Sequence, residues 1–351
     1  MKTKAPVAKN ERLDVTIADL TYQGMGVAKV DDFPLFIENA LPGEELTIQV
    51  TKVQSHYGFA RAVAWKSESP DRVKDVDKTY RQTGIAPLQH LAYPAQLKFK
   101  QHQIAELFSK DHQDVDVAPT LGMDNPTQYR NKAQVPVRMI KGQLETGFYR
   151  QHSHDLIPLT DFYIQDPAID AAIIKVRDIL RQFEIPAYNE ISDKGVIRNI
   201  MVRRGYYSHE MMIVLISRTQ KLPSQAQLVD QIHQALPEVT SIVLNVNAKK
   251  TNVIMGNVTR TLYGKPTIED SLLGLTFAIS ARSFYQVNPQ QTEKLYQMAI
   301  DKAGLTGEET VIDAYCGIGT ISLALAKHAK QVYGVDVVSE AIEDAKVNAQ
   351  K

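Results

Sequence analysis

The sequence predicts a multidomain chain. A small OB-like all-β barrel comes first, an α+β central domain follows, and the start of an α/β Rossmann-like domain ends it. Three observations carry this prediction. Residues 10–65 hold short apolar runs separated by glycine, proline and asparagine. Residues 118–280 mix segments of strand and helix period. After residue 310 an apolar strand, a Gly-x-Gly loop, a helix and a second strand follow in order.

The barrel is expected over residues 1–65. Leu13, Val15 and Ile17 alternate with Asp14 and Thr16, as in a half-buried strand. Gly24 and Gly26 mark a turn, and apolar runs at 35–37, 46–53 and 59–64 give about five strands in all. Such barrels bind single-stranded nucleic acid through basic and aromatic groups. Tyr22, Lys29, His56 and Tyr57 are the candidates here. Residues 66–86 are charged, weakly patterned and read as a connector. A helix is expected over 88–108, with Pro94 starting or interrupting it.

The central domain is expected over 66–280, connector included. Lys141-Gly142 between two apolar segments signals a hairpin. Helices are expected over 167–183 and 224–236, and strands over 196–203, 210–217 and 241–246. In the last block, 281–351, Asn288 and Pro289 start a helix that runs to about residue 303. Strands at 310–313 and 331–335 then flank a helix at 320–329.

The 351 residues carry 40 Lys+Arg and 40 Asp+Glu, so net charge alone argues for no nucleic-acid partner. The balance is not local. Residues 128–150 hold Arg130, Lys132, Arg138, Lys141 and Arg150 against Glu145, and residues 194–208 hold Lys194, Arg198, Arg203 and Arg204 with no acid. Each window suits a phosphate-binding surface or a plain solvated strand face. No apolar run nears the roughly 18 residues of a membrane span. The basic N-terminus (Lys2, Lys4, Lys9, Arg12) lacks the apolar core of a signal peptide. A cytoplasmic protein with no membrane partner is expected, and the sequence leaves its oligomeric state open. The single cysteine, Cys316, excludes an intramolecular disulfide and a multi-thiolate metal site.

The chemistry is expected in Asp313-Ala314-Tyr315-Cys316-Gly317-Ile318-Gly319-Thr320. Gly317 and Gly319 let the backbone approach a ligand closely, and the next helix aims its free N–H groups at it. Asp336, at the end of the second strand, can accept both ribose hydroxyls of an adenosine cofactor, and Asp313 can orient the loop. A dinucleotide fingerprint wants a third glycine where Ser322 stands, so S-adenosylmethionine fits better than NAD. A tight turn without any ligand is the remaining reading.

The segment Ile279-Ser280-Ala281-Arg282-Ser283-Phe284-Tyr285-Gln286-Val287-Asn288, together with that loop, resembles the RNA uracil-5 methyltransferase family. The barrel resembles the family's TRAM domain. Leu88-Gln89-His90-Leu91, Gln96-Leu97-x-x-Lys100-Gln101 and Tyr129-Arg130-Asn131-Lys132 match in family order. The resemblance implies S-adenosylmethionine-dependent methylation of a uridine in RNA, with 23S rRNA expected first and tRNA second. It implies that Gln286, Tyr315 and Asp336 contact the cofactor. Thr320 stands where relatives often have asparagine. The 128–150 hairpin and the 194–204 strand would line the RNA path, so Lys29, Arg130, Lys132, Arg138 and Arg203 are the expected RNA-binding cations. Phe284 or Tyr285 would stack on an extruded base.

Two departures from the family follow. Aligning Leu88-Gln89-His90-Leu91 puts the family's four iron–sulfur ligand positions at Asp77, Thr83, Ala86 and Asp166, none of them cysteine, so no cluster is expected. The family's nucleophilic cysteine, its general base and a further cofactor aspartate are expected beyond Lys351. Cys316 reads as a packing residue of the cofactor loop. The chain is therefore expected to be an incomplete member, with no catalytic residue and no metal site of its own. A non-catalytic RNA-binding protein is the alternative.

Overall fold

The computed structural model describes residues 5–74 and 76–351, so Lys2 and Lys4 of the basic N-terminus lie outside the described residues. Among the described residues, six strands form the first sheet: β1 (Arg12–Thr16), β2 (Asp19–Leu20), β3 (Gly26–Val30), β4 (Phe33–Glu38), β5 (Glu45–Val53) and β6 (Gly58–Ser67). They pair in the order β1-β5-β6-β4-β3-β2, antiparallel except for β4 with β6. Alternation decides which side faces in: Phe33, Leu35 and Ile37 of β4 and Leu46, Ile48 and Val50 of β5 are buried around one core with Ile17 and Ala28. The sequence showed about five strands, because the two-residue β2 has no period to detect.

The presumed connector is more ordered than its composition suggests. Helix α1 (Lys78–Thr83) is capped by the Asp77 carboxylate, which accepts from Thr79 N, and ends at left-handed Gly84. Six residues are too few to show a helical period. Helix α2 (Tyr93–Lys110) has Pro94 in its first turn, so the proline starts the helix, which begins five residues later than expected over 88–108.

By their internal contacts the residues form two units, Met1–Asp124 with Arg150–His152, and Asn125–Tyr149 with Ser153–Lys351. Residues 66–124 therefore go with the barrel.

The second unit is built on a seven-stranded sheet. Its elements are β7 (Lys132–Ile140), β8 (Gln143–Tyr149), β9 (Leu156–Pro158), α3 (Pro167–Gln182), β10 (Ile197–Arg204), β11 (Met211–Ser217), α4 (Gln225–Ala235), β12 (Val239–Val246) and β13 (Val258–Gly264). The strand order is β13-β12-β11-β10-β7-β8-β9. One face packs on α3 and α4 through Ile173, Val176, Leu180, Leu228 and Ile232. The other face is covered by the hairpin β14 (Thr267–Leu272) and β15 (Leu275–Ser280), through Ile268, Phe277 and Ile279 against Met201, Met212 and Val214. Both faces being covered explains why every residue of β11 is buried.

Helix α5 (Pro289–Ala303) starts at Asn288, whose side chain accepts from Gln291 N, as expected. Strand β16 (Thr310–Asp313), helix α6 (Thr320–Ala326), strand β17 (Gln331–Gly334) and helix α7 (Ser339–Ala349) follow, with β16 and β17 parallel. Helix α6 is three residues shorter than expected. Leu323 packs onto the second core, whereas Ile312 (68% exposed) and Val335 (54%) face outward.

Candidate functional site

The glycine loop joins β16 to α6. Gly317 and Gly319 have φ of 53° and 85°, in the left-handed region that favours glycine. A Cβ on Gly317 would meet nothing within 4 Å, so the loop faces open space there. Gly334 keeps space for another reason: a Cβ on it would crowd Cys316, 3.0 Å from its Sγ. The two strand ends close the loop. Asp336 accepts from Gly317 N (3.0 Å) and from Val338 N (2.8 Å), and Cys316 N donates to Val335 O (2.9 Å). Asp313 accepts from Ser322 Oγ (2.6 Å) and Tyr315 N (3.3 Å). Ser322, which breaks the dinucleotide fingerprint, therefore ties the helix to the strand end.

Tyr315 is 90% exposed and presents its ring beside the loop. Thr320 Oγ1 lies 3.2 Å from the Tyr296 hydroxyl, a local bond within the protein. Cys316 is buried. Burial first, and then the Asp313 and Asp336 carboxylates, push its thiol above the ordinary value, so it is held as a neutral packing group.

Helix α7 fastens this loop to the 280–286 segment. Asn348 is buried and donates to Ile318 O (3.1 Å) and Ala278 O (3.4 Å), while its Oδ1 accepts from Ala278 N (2.8 Å). Asp344 accepts from Ser280 Oγ (2.9 Å) and Ser283 Oγ. Neither residue is legible in the sequence, because a lone asparagine and aspartate in a polar helix carry no pattern. Asn131 holds the other side, donating from N to Val287 O (3.1 Å) and from Nδ2 to Gln286 O (3.2 Å). The segment thus presents Phe284 outward (67% exposed) and buries Tyr285, which leaves Phe284 as the base-stacking candidate of the two. Gln286 is half-buried beside it.

The basic windows divide differently from the expectation. Arg203 is buried and donates to Ser283 O (2.8 Å), with Nε and Nη1 unpartnered. It cannot line an RNA path. Arg198 is also buried, bonded to the carbonyls of Asn247, Lys249 and Thr251 and stacked over Tyr188. Arg204 pairs with Asp166 at 2.7 Å. Arg198 and Arg204 of this strand therefore spend donors within the fold, and Arg203 is enclosed by it. In the hairpin, Arg138 is held by Glu190 and the Tyr149 hydroxyl. Arg130 and Lys132 remain half-exposed, and Lys29 is exposed on the barrel.

Lys132 is held down to about 8, first by burial and then by Arg203 and Arg130. An anion brought to it would relieve that cost. Replacing Arg203 by methionine should raise the Lys132 pKa toward the ordinary value of about 10.4, as read by NMR of the labelled lysine. A lysine with a lowered folded pKa is neutralised in the folded chain first. Stability therefore rises with pH between about 8 and about 10.4, and the variant should show a shallower rise. An unmoved Lys132 titration would contradict this coupling.

The four positions expected for iron–sulfur ligands have other roles. Asp77 caps α1, Thr83 Oγ1 donates to Tyr80 O (2.7 Å), Ala86 is buried, and Asp166 caps α3. Among the described residues no group of three or more His, Cys, Asp or Glu side chains is placed to hold a metal ion, and no helix is long and apolar enough to cross a membrane.

Comparison with known proteins identifies both ends of the chain. Residues 6–63 match the TRAM domain, and residues 305–351 match a methyltransferase domain. A protein of Lactiplantibacillus plantarum named an uncharacterized RNA methyltransferase is 65% identical over 352 residues, which is 100% of this chain and 77% of that protein. An Enterococcus faecalis protein of the same name is 55% identical over 98% of this chain and 76% of its own length. The crystal structure of Pyrococcus abyssi tRNA (uracil-54, C5)-methyltransferase with S-adenosyl-L-homocysteine has the same fold. Its TM-score is 0.75 at 24% identity, over 96% of this chain and 76% of that one.

Proposed function

We propose a function from the premise that this chain belongs to the RNA methyltransferase family, one member of which it matches at 65% identity along its whole length. It binds S-adenosylmethionine and RNA for methylation at C5 of a uridine, with 23S rRNA the first candidate substrate and tRNA the second. An RNA substrate also favours a cytoplasmic setting. One observation carries the reading: α7 fixes the glycine loop, through Asn348, and the Phe284 segment, through Asp344, in a single frame.

The residues fit the cofactor. The space before Gly317 admits close approach, and Asp336 keeps unused lone pairs after its two backbone bonds, enough to accept ribose hydroxyls. Tyr315 offers a flat face, and Gln286 an amide for polar groups of the cofactor. When bound, S-adenosylmethionine supplies an electrophilic methyl group. Phe284 stacks on the base turned out of the RNA, and Arg130 and Lys132 take phosphates.

The chain's own chemistry stops there. Addition to C6 of the uracil needs a thiolate, and the only cysteine is Cys316, buried with a raised pKa. The 351-residue chain should retain RNA on a filter and bind S-adenosylhomocysteine, yet transfer no tritiated methyl to unmodified rRNA or tRNA. Transfer to uridine C5 by this chain alone would overturn the inactive assignment. Binding of RNA without the nucleoside ligand would favour the second reading, an RNA-binding protein without catalysis. The donor set at Asp77, Thr83, Ala86 and Asp166 suits no iron–sulfur cluster. Protein purified without oxygen should therefore carry no stoichiometric iron and sulfide.

A further inference from the structure

The barrel unit contains a cavity of about 490 Å³ that the methyl-transfer chemistry does not use, a size suited to a small ligand. Its wall runs beyond the matched TRAM residues and includes Arg61, Trp65, Arg81, His90 and Gln151. His90 is 3% exposed, and its Nε2 has no partner. Burial and the nearby Arg72 hold that ring down to about 4, so it is neutral at pH 7. Among the described residues Arg81 has no carboxylate partner in an ion pair, and Arg61 spends its Nε and Nη2 on Gln49 (3.2 and 2.8 Å), leaving Nη1. Glu38 is the acid on this wall. An adjoining cavity of about 780 Å³ shares Arg61 and Gln151 and adds Lys52, so the basic surface continues across the barrel.

Cations, a tryptophan, side-chain amides and a neutral imidazole line this cavity. A free phosphate would need only the cations, and a peptide would want more apolar area. We propose that this cavity holds one unpaired nucleotide of the RNA, its phosphate on Arg81 and Arg61 and its base against Trp65. The assignment rests on the RNA-binding reading above, and it adds a contact point in the barrel unit that is independent of the cofactor loop.

Trp65 is the only tryptophan of the chain, so its emission reports this cavity. The test titrates the 351-residue chain with a short oligouridylate and, separately, with inorganic phosphate, beside filter binding of the same oligonucleotide. Oligouridylate should quench the emission at the filter-binding midpoint, and inorganic phosphate should not. Arg81→Gln should weaken oligonucleotide binding about tenfold and lower the slope of log affinity against log salt by about 0.7. Arg61→Gln should do the same to a smaller degree. RNA retained without any change in emission, with Arg81→Gln matching the parent, would overturn the cavity and leave the RNA-binding reading standing. Equal quenching by inorganic phosphate would reduce it to an anion site and overturn the nucleotide. No RNA retained by the parent chain would remove the RNA-binding reading itself.

Discussion

Replacing Glu44 by alanine should destabilise the barrel unit by about 3–5 kcal/mol, seen as an earlier urea midpoint in Trp65 fluorescence. Glu44 is fully buried and accepts from Leu41 N (2.9 Å), Trp65 Nε1 (3.2 Å), Ser69 N (3.2 Å), and Arg72 Nε and Nη2. Its removal strands the Arg72 guanidinium, which is 9% exposed, with Asn39 O as its remaining hydrogen-bond acceptor and the Trp65 ring beside it at 5.5 Å. A buried charge left without its counter-charge is what makes this loss large. The pH dependence has a definite sign. Burial pushes the Glu44 carboxyl up, but the bonds from Arg72 and the backbone N–H groups outweigh it and leave the group below its ordinary value. Its contribution is therefore present above the unfolded value of about 4.3 and lost as pH falls through the lower folded value. The gap between parent and variant should narrow in acid. A gap unchanged from neutral pH to well below 4 would contradict the pairing.

Asp336→Ala should weaken S-adenosylhomocysteine binding by about 100-fold, the loss expected from two hydrogen bonds to a charged acceptor. The carboxylate acts twice. It closes the glycine loop through Gly317 N and Val338 N, and on the proposed function its remaining lone pairs accept the ribose hydroxyls. Asp336→Asn should fall between, because the amide keeps one acceptor oxygen. RNA retention on a filter should change little in either variant. Calorimetry that showed less than a threefold loss for the alanine variant would remove Asp336 as the adenosine reader.

Much of the scaffold was legible wherever one periodicity or one piece of backbone chemistry decided it. The alternation of Phe33, Leu35 and Ile37, the Lys141-Gly142 turn, the Asn288 cap and the Gly317–Gly319 loop are all local signals. The exposed residues 258–264 and the partly polar hairpin 267–280 were missed, because their pairing is set by neighbours distant in sequence. Charge misled for the same reason. Arg198 and Arg203 look solvated on a strand, and only their distant partners, the 247–251 carbonyls and Tyr188 for the first and Ser283 for the second, show that they are buried. The glycine loop was legible, but Asn348 and Asp344, which hold it against the Phe284 segment, were not. Their partners are 30 to 70 residues away.

The clamp of Asn131 on Gln286 and Val287 also has a consequence in time. It spans 155 residues, and Arg203 reaches across 80 residues to Ser283. On a ribosome adding roughly 5–20 residues per second, Asn131 waits about 8–30 s for its partners to be synthesised. Strand β7 likewise emerges well before β10, its antiparallel neighbour. The barrel can close early from nearby strands, whereas the 284–287 segment is among the last parts of its unit to lock. Its nascent form passes through a period of unpaired strand edges, and slowing translation between codons 131 and 287 would lengthen that exposure.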